Sequence, residues 1–561
     1  MNCIEIVTLD NSYNHLRALK MPEKKQYPDD PTAEAAALSK LGYEQELKQD
    51  FSFLGIVAFS FSIVTSWTAL AGVLIVGVQS VGPPVMIWSW VGVCVLSLAV
   101  AYSLAEMCSA YPVAGGQYSW VAVLAPRKLR RGMSYVCGWF LLIGIIAMGA
   151  TSHFVTANFA LGLANLNNRN FVIERSHTVL VAWVVALLTF IFNAFLSRFL
   201  NKTYQGFLVL NISSLVVVVI TILATNDNKQ SASFVFSDFV NLTGFSPGYA
   251  SLIGLLQAAF GMCCYDSASR MTEEIKEARK QAPRAIVLAV YIGFATGFIF
   301  LIAASFCMGN VEDIASTSTG VPIIEVFYVS TGNVGGSSAL ATLILVIGVG
   351  ASNGLTATAG RSIYAFARDN GLPFSGFLSK VHQTNATPIN GLGAAVFVQM
   401  ALIAIYFGAV QGFQTVIAIA VEGFYISYAI PLLARLLSLM TSEPVLQIDA
   451  QYSLGRMSIP LNIIGLVYLL FTTITFNFPT VSPVNSENMN YTSAAVGVIM
   501  LISLVTWLTT GRKHSRGPES GGITVLQSGQ AVTGAHPSLN TPGSSFEGRE
   551  FPGDEKGERT V

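Results

Sequence analysis

Two carboxylates sit inside stretches that are otherwise apolar. In LIGLLQAAFGMCCYDSASRMTEE, residues 252–274, Asp266 follows two adjacent cysteines and a tyrosine at the end of an oily run. In VIAIAVEGFYISYAI, residues 416–430, Glu422 interrupts a second run. A carboxylate is expensive in an apolar medium, and one that lies within a membrane segment is functional by default. The chemistry open to it is proton exchange or contact with an ammonium group. Asp266 has two further uses: it can cap a half-helix beginning there, or pair with Arg270, four residues on and on the same helix face. Glu422 can alternatively be a hydrogen-bonded contact between helices. His153 could titrate, although a lone histidine on a packed helix is also an ordinary interior residue. The six histidines form no cluster and the seven cysteines show no C-x-x-C spacing, so neither a metal, a cofactor nor a disulfide framework is expected. The adjacent pair Cys263 and Cys264 is suggestive, but two small polarizable packing residues is the favoured reading.

The elements that must position these groups are membrane-spanning helices. Of the 561 residues, 52% are hydrophobic and only 11% charged, against about 25% charged in soluble domains. Lys+Arg and Asp+Glu balance at 31 each, which argues against a nucleic-acid partner; the expected surroundings are membrane lipid. A spanning helix needs about 20 mostly apolar residues. Twelve such runs occur, near 52–79, 84–105, 133–163, 178–197, 204–225, 248–266, 284–308, 337–360, 390–409, 413–435, 458–477 and 491–510. They define a twelve-span membrane domain over 51–510, flanked by a polar tail over 1–50 and a Gly/Ser/Pro/charge-rich tail over 511–561 that cannot bury enough apolar surface to fold. The polar start holds no short apolar core of the signal-peptide kind, so the first span is expected to act as its own insertion signal.

Basic residues set the expected orientation. With the N-terminus cytosolic, the inner loops hold Arg127, Lys128, Arg130 and Arg131, then Arg198 and Lys202, then Arg270, Lys276, Arg279, Lys280 and Arg284, then Arg361, Arg368 and Lys380, then Arg435 and Arg456. The outer loops hold only Arg169, Arg175 and Lys229. Both tails are therefore expected inside. The sequons at Asn241 and Asn490 then face outward as glycosylation candidates, while Asn385 faces inward and is expected to be inert.

Two spans are irregular. The first, SFLGIVAFSFSIVTSWTALAGVLIVGVQ, is too long and is crossed midway by Ser62, Thr65, Ser66 and Thr68; the sixth is interrupted near Gly261. Small and hydroxylated residues tolerate a broken helix in mid-membrane where the freed backbone lines a cavity. Spans one and six lie five apart, and a five-span repeat begins its second copy on the opposite membrane face, so two broken helices can meet at a midplane site. Ordinary polar contact between intact helices is the competing reading.

Three loop segments carry a family resemblance. SLAEMCSAYPVAGGQYSW, residues 103–120, resembles the signature of the amino acid–polyamine–organocation (APC) permeases, with Glu106, Tyr111, Pro112, Gly115, Gly116 and Tyr118 in place. MTEEIKEARKQAPRAI, after the sixth span, resembles that family's acidic-then-basic loop. GRSIYAFARDNGLPFSGFLSKVH, after the eighth, resembles its R-x-x-Y-A-x-A-R-D-x-G-L-P segment. The likeness runs from about 41 to 510 and is closest to the fungal branch carrying γ-aminobutyrate (GABA), choline and other amines or amino acids; LGYEQELKQDFS before span one is typical of it.

The resemblance implies an all-α, leucine-transporter-type fold of five plus five inverted spans and two extra. It also implies a site at the two breaks. In span one that site would centre on Thr65, Ser66, Trp67, Thr68 and Ala69, whose N–H and hydroxyl groups suit a carboxylate. Trp67 could cover an ammonium by cation–π attraction, or simply pack. In span six, Phe260 falls where relatives stack an aromatic on substrate, Gly261, Met262, Cys263 and Cys264 would be unwound, and Asp266 would be a gate or proton sensor on a half-helix of about 12 Å. Glu422 could meet a substrate ammonium or carry a proton. Ser352, Asn353 and Thr356 are expected cavity walls, and Glu106 is expected to be structural. The function implied is a secondary active transporter of a small amine or amino acid, proton-coupled, in the plasma membrane rather than the vacuole. A nutrient receptor built like a transporter, or an exchanger of a pathway metabolite, is the alternative. The major facilitator pattern G-x-x-x-D-R-x-G-R-R is not present after span two, and no nucleophile–base pattern suggests an enzyme.

Overall fold

The computed structural model describes residue 47 and residues 49–74, 77–78, 82–239, 241, 243–382, 387–441, 450–485 and 488–512. Nearly all of both expected tails, and the sequon at Asn385, lie outside them. Among the described residues, twelve helices are long and apolar enough to cross a membrane: Phe53–Gly72, Pro83–Ala110, Arg130–Asn167, Arg175–Phe195, Ser197–Thr225, Pro247–Glu274, Ala278–Phe306, Val334–Arg368, Ile389–Gly408, Val410–Met440, Gly455–Thr475 and Thr492–Thr509. These are numbered spans 1 to 12 below. The chain is an integral, multi-pass membrane protein.

The spans differ in how much of their apolar surface the protein itself covers. Buried share is 83% in spans 1 and 3 and 78% in span 10, but 28% in span 5, 33% in span 9 and 17% in span 12. The first group forms the centre of the bundle, and the second turns its apolar side chains to the surroundings, as lipid-facing helices do. Span 3, with 38 residues, is about 57 Å long at the α-helical rise, so it tilts or projects well beyond a hydrocarbon core of about 30 Å. It meets span 10 backbone to backbone. A Cβ on Gly423 would lie 2.9 Å from Cα and 3.0 Å from N of Gly144, a distance only paired glycines allow.

Both expected breaks are present, and both are narrower than the sequence suggested. Span 1 runs helical over Phe53–Val64, turns at Thr65 (φ 32°, ψ 46°), and resumes over Ser66–Gly72. Trp67, Thr68 and Ala69 thus belong to the second half-helix, not to an unwound stretch. Span 6 is helical over Pro247–Gly261, opens at Met262–Cys264 and continues over Tyr265–Glu274. Gly261 is the last helical residue. The second half is a 3₁₀ helix of ten residues, about 20 Å long rather than the 12 Å expected of an α-helix. Cys264 explains the change: in its left-handed conformation (φ 63°, ψ 14°) its carbonyl accepts the N–H of Ser267 at 3.1 Å, an i→i+3 bond that starts the tighter winding.

A short helix between spans 2 and 3, Gln117–Leu124, is buried throughout. It lies at the basic end of the bundle, where span 1 begins, beside the 3₁₀ half of span 6.

Candidate functional site

The two breaks face a common cavity. Span 1 contributes Ile63, Val64, Thr65, Thr68 and Ala69, and span 6 contributes Phe260, Cys263 and Cys264. Spans 3 and 8 close the other side, with Ser152, Thr156 and Phe159 from the former and Gly348, Ala351 and Leu355 from the latter among the lining residues. Among the described residues, Cys263 and Cys264 are the only ionisable side chains that line it. The wall is a hydrocarbon surface with a few hydroxyls and the ends of two interrupted helices.

Of the residues expected at a site, Thr65, Thr68, Ala69, Phe260, Cys263 and Cys264 are on this wall, while Ser66, Trp67, Gly261, Met262, Thr356, Glu422 and Asp266 are not. Each of the latter has another occupation. Trp67 is fully buried; its indole N–H donates to Asn211 Oδ1 at 2.6 Å and its ring lies 5.6 Å from that of Phe300, so it packs against spans 5 and 7, off the cavity wall. Ser66 is turned toward span 7, where its Oγ would lie 2.6 Å from a Cβ on Gly293. Gly261 makes room: a Cβ there would meet Leu70 at 2.9 Å and Trp90 at 3.0 Å. Met262 is fully buried, with its N–H on the Ala258 carbonyl at 3.0 Å. Thr356 sits one layer behind the wall, donating to the Ser352 carbonyl at 2.9 Å and lying 3.3 Å from His153 Nε2. Ser352 in turn bonds Ser152 of the wall at 2.8 Å, and Asn353 bonds Asn193 and Tyr204.

Glu422 is 1% exposed and lies against span 11. Its Oε1 accepts from Asn477 Nδ2 at 2.9 Å, and its Oε2 has no partner among the described residues. His153 is likewise fully buried, with Nε2 3.2 Å from Gln399 Oε1.

Asp266 is fully buried below the break. Arg270 donates to its Oδ2, as does Gln117 Nε2 at 2.5 Å, and Tyr428 donates to Oδ1 at 2.5 Å. It is therefore not the cap of the 3₁₀ helix: that position belongs to Cys264, and the carboxylate is used up on side chains. The pairing with Arg270 expected from the i, i+4 spacing is formed, with both side chains excluded from solvent. Sequence reasoning passed over Gln117 and Tyr428, the first hidden between Gly116 and Tyr118 of a motif, the second an unremarkable tyrosine in an apolar helix. Asn211 was also missed, although a lone amide in FLVLNISSLVVVV carries the same kind of signal as Glu422.

The three family-like motifs meet at the basic end. Glu273 and Glu274 of the second receive Arg368 and Arg361 of the third in two forked pairs; Arg368 bonds Glu273 at 2.9 and 3.1 Å, and Arg361 bonds Glu274 through Nε and, at 3.0 Å, Nη2. Seven residues separate the arginines, two turns on one face of span 8. The first motif joins them: the Ala114 N–H donates to Glu273 Oε1 at 3.2 Å, and Tyr118 OH donates to Asp369 at 2.9 Å. Glu106 holds Arg435 at 2.8 Å, Ser458, and the Leu454 N–H at 3.1 Å, tying span 2 to spans 10 and 11. Charge-assisted forks of this kind are strong and geometrically exacting, so the motifs are a brace across one end of the bundle.

The sequon asparagines lie at the opposite end. Asn241 Nδ2 donates to the Phe245 carbonyl at 2.7 Å, and Asn490 Nδ2 donates to those of Phe476 and Phe478 at 2.7 and 3.0 Å.

A family model described as amino acid permease matches residues 51–503. A Macrophomina phaseolina protein named as an amino acid/polyamine transporter is 60% identical over 440 residues, covering 78% of this chain and 97% of that protein. The choline transporter of Saccharomyces cerevisiae is 30% identical over 508 residues, 90% of this chain and 88% of its own. Among solved structures, the Eremococcus coleocola manganese transporter superposes with a TM-score of 0.50 at 13% identity, over 90% of this chain and 97% of that one. That likeness concerns the fold, which is of the leucine-transporter type, with spans 1 and 6 as its broken pair. With a cavity between those breaks and a family match that runs from the first span into the twelfth, the chain is a secondary transporter and belongs to the amino acid permease family of the APC superfamily.

Proposed function

We propose that the protein carries a small amino acid or amine with a single ammonium group, by alternating access around the cavity between the two breaks. The observation that carries this reading is the wall itself. Val64 and Thr65 end the first half-helix on it, and a helix C-terminus offers partial negative charge to a cation. The Phe260 ring and the Thr65 and Thr68 hydroxyls supply an aromatic face and polar contacts. No carboxylate among the described residues lines the wall, which suits one positive charge better than the several of a polyamine. The relatives named for choline, amino acids and polyamines share an ammonium as the common element.

Protons are the proposed coupling ion, and Glu422 is a better carrier than Asp266. Glu422 is buried with one oxygen unpartnered among the described residues, whereas Asp266 is held by Arg270, Gln117 and Tyr428. The excess of arginine and lysine at one end supports cytosolic termini, with the plasma membrane as the site of action and Asn241 and Asn490 glycosylated outside it before their turns close. The test is radiolabelled uptake in cells lacking their own permeases, at two pH values, with and without sodium. Uptake of a monoamine or neutral amino acid that rises at acid pH is expected. Uptake of polyamines alone, or uptake that needs sodium and ignores pH, would refute the reading.

A further inference from the structure

Span 5 reaches the span 1 break through the side chain of Asn211. Asn211 is 1% exposed in a helix most of whose surface faces outward. Its amide is divided between the two sides of the span 1 break: Nδ2 donates to Thr65 Oγ1 at 3.1 Å, and Oδ1 accepts from Trp67 Nε1 at 2.6 Å. Both halves of the amide are thus used.

The residue it grips needs holding. Thr65 is β-branched yet adopts a left-handed backbone conformation, which persists in such residues only where the surroundings over-determine it. Thr65 Oγ1 also meets Thr68 Oγ1 at 2.6 Å, and the Thr65 carbonyl receives the N–H groups of Thr68 and Ala69, both at 3.0 Å. Those bonds are local to span 1 and move with it. The Asn211 amide is the part of the set that comes from another helix, and it fixes Thr65 and Trp67 relative to span 5. Thr65 and Thr68 are the hydroxyls that span 1 turns to the cavity, so whatever sets the break sets them.

We infer that Asn211 is a positioning residue for the substrate site, holding the strained break so that the Thr65 and Thr68 hydroxyls face the cavity; this rests on the cavity being where substrate binds. Asn211 lies off the wall and touches no substrate in this arrangement.

The test is a cycle of Asn211→Ala, Thr65→Gly and the double variant, read in uptake kinetics. Glycine adopts the left-handed conformation without strain, so it removes the need for the grip. Asn211→Ala alone should raise KM about tenfold, as loss of two modest hydrogen bonds would, with little change in maximal rate per transporter at the surface. In the Thr65→Gly background the same substitution should change KM about twofold or less. An equal rise in both backgrounds, or a fall in maximal rate with KM unchanged, would overturn the inference. A second readout needs no substrate: the rate at which a permeant maleimide labels Cys264 in a Cys263→Ser background. Asn211→Ala should alter that rate severalfold only where Thr65 is present, and an unchanged rate overturns the inference. If the parent protein takes up no amine or amino acid, the substrate reading fails while labelling still decides the role of Asn211. Should Asn211→Ala fail to accumulate, Trp67→Phe removes one of the two bonds alone and carries the same expectations at smaller amplitude.

Discussion

Replacing Asp266 by Asn keeps the side chain's shape but removes its charge, and the consequence falls first on Arg270. That guanidinium is fully buried and Asp266 is its one salt-bridge partner among the described residues. The Phe424 ring, 5.2 Å from its Cζ, offers about 0.5–2 kcal/mol of cation–π attraction. Breaking a buried pair by removing one member costs about 3–5 kcal/mol, so the ring does not compensate. An asparagine also accepts through only one oxygen, so one of Gln117 Nε2 and Tyr428 OH loses its acceptor, adding about 1–3 kcal/mol. Against a typical total of about 5–15 kcal/mol, Asp266→Asn should leave little folded transporter. The assay is thermal challenge of detergent-solubilised fluorescent fusions followed by size exclusion, with surface abundance measured in parallel. Asp266→Asn should lose most of its monodisperse fraction, and Asp266→Asn with Arg270→Gln should recover much of it, because the charges leave together. If the single variant is as stable as the parent, the buried-charge reasoning is wrong. The double variant then separates stability from coupling: uptake that keeps its pH dependence would remove Asp266 as proton carrier and leave Glu422.

Three further outcomes follow from the same geometry. Gly423→Ala places a methyl within 3.0 Å of Gly144 backbone atoms, so spans 3 and 10 must part; about 1–3 kcal/mol of destabilisation should appear in the same thermal assay. Arg361→Lys cannot fork onto Glu274 and should lose about 1.5–3 kcal/mol, whereas Lys276→Arg, outside the pairs, should behave as the parent. Cys264 should react with a small permeant thiol reagent and be protected by transported substrate; Cys137, buried away from the cavity between spans 3 and 10, should not show that protection.

The sequence alone was enough for the class, the twelve spans and the place of both breaks. Insertion into a bilayer is decided segment by segment through the transfer free energy of about twenty neighbouring residues, and such a sum is local. The i, i+4 pairing of Asp266 with Arg270 was legible for the same reason. What the chain did not reveal by itself was which polar side chains face the cavity. Helix rotation decides that, and rotation depends on partners far away in sequence: Trp67 turns from the wall because Asn211 receives its N–H across 144 residues. Asp266 is held by Tyr428 across 162 and Gln117 across 149, and Glu273 meets Arg368 across 95. Apolar pattern fixes that a helix crosses the membrane, while the direction its few polar groups point is settled only when packing gives each buried donor and acceptor a partner.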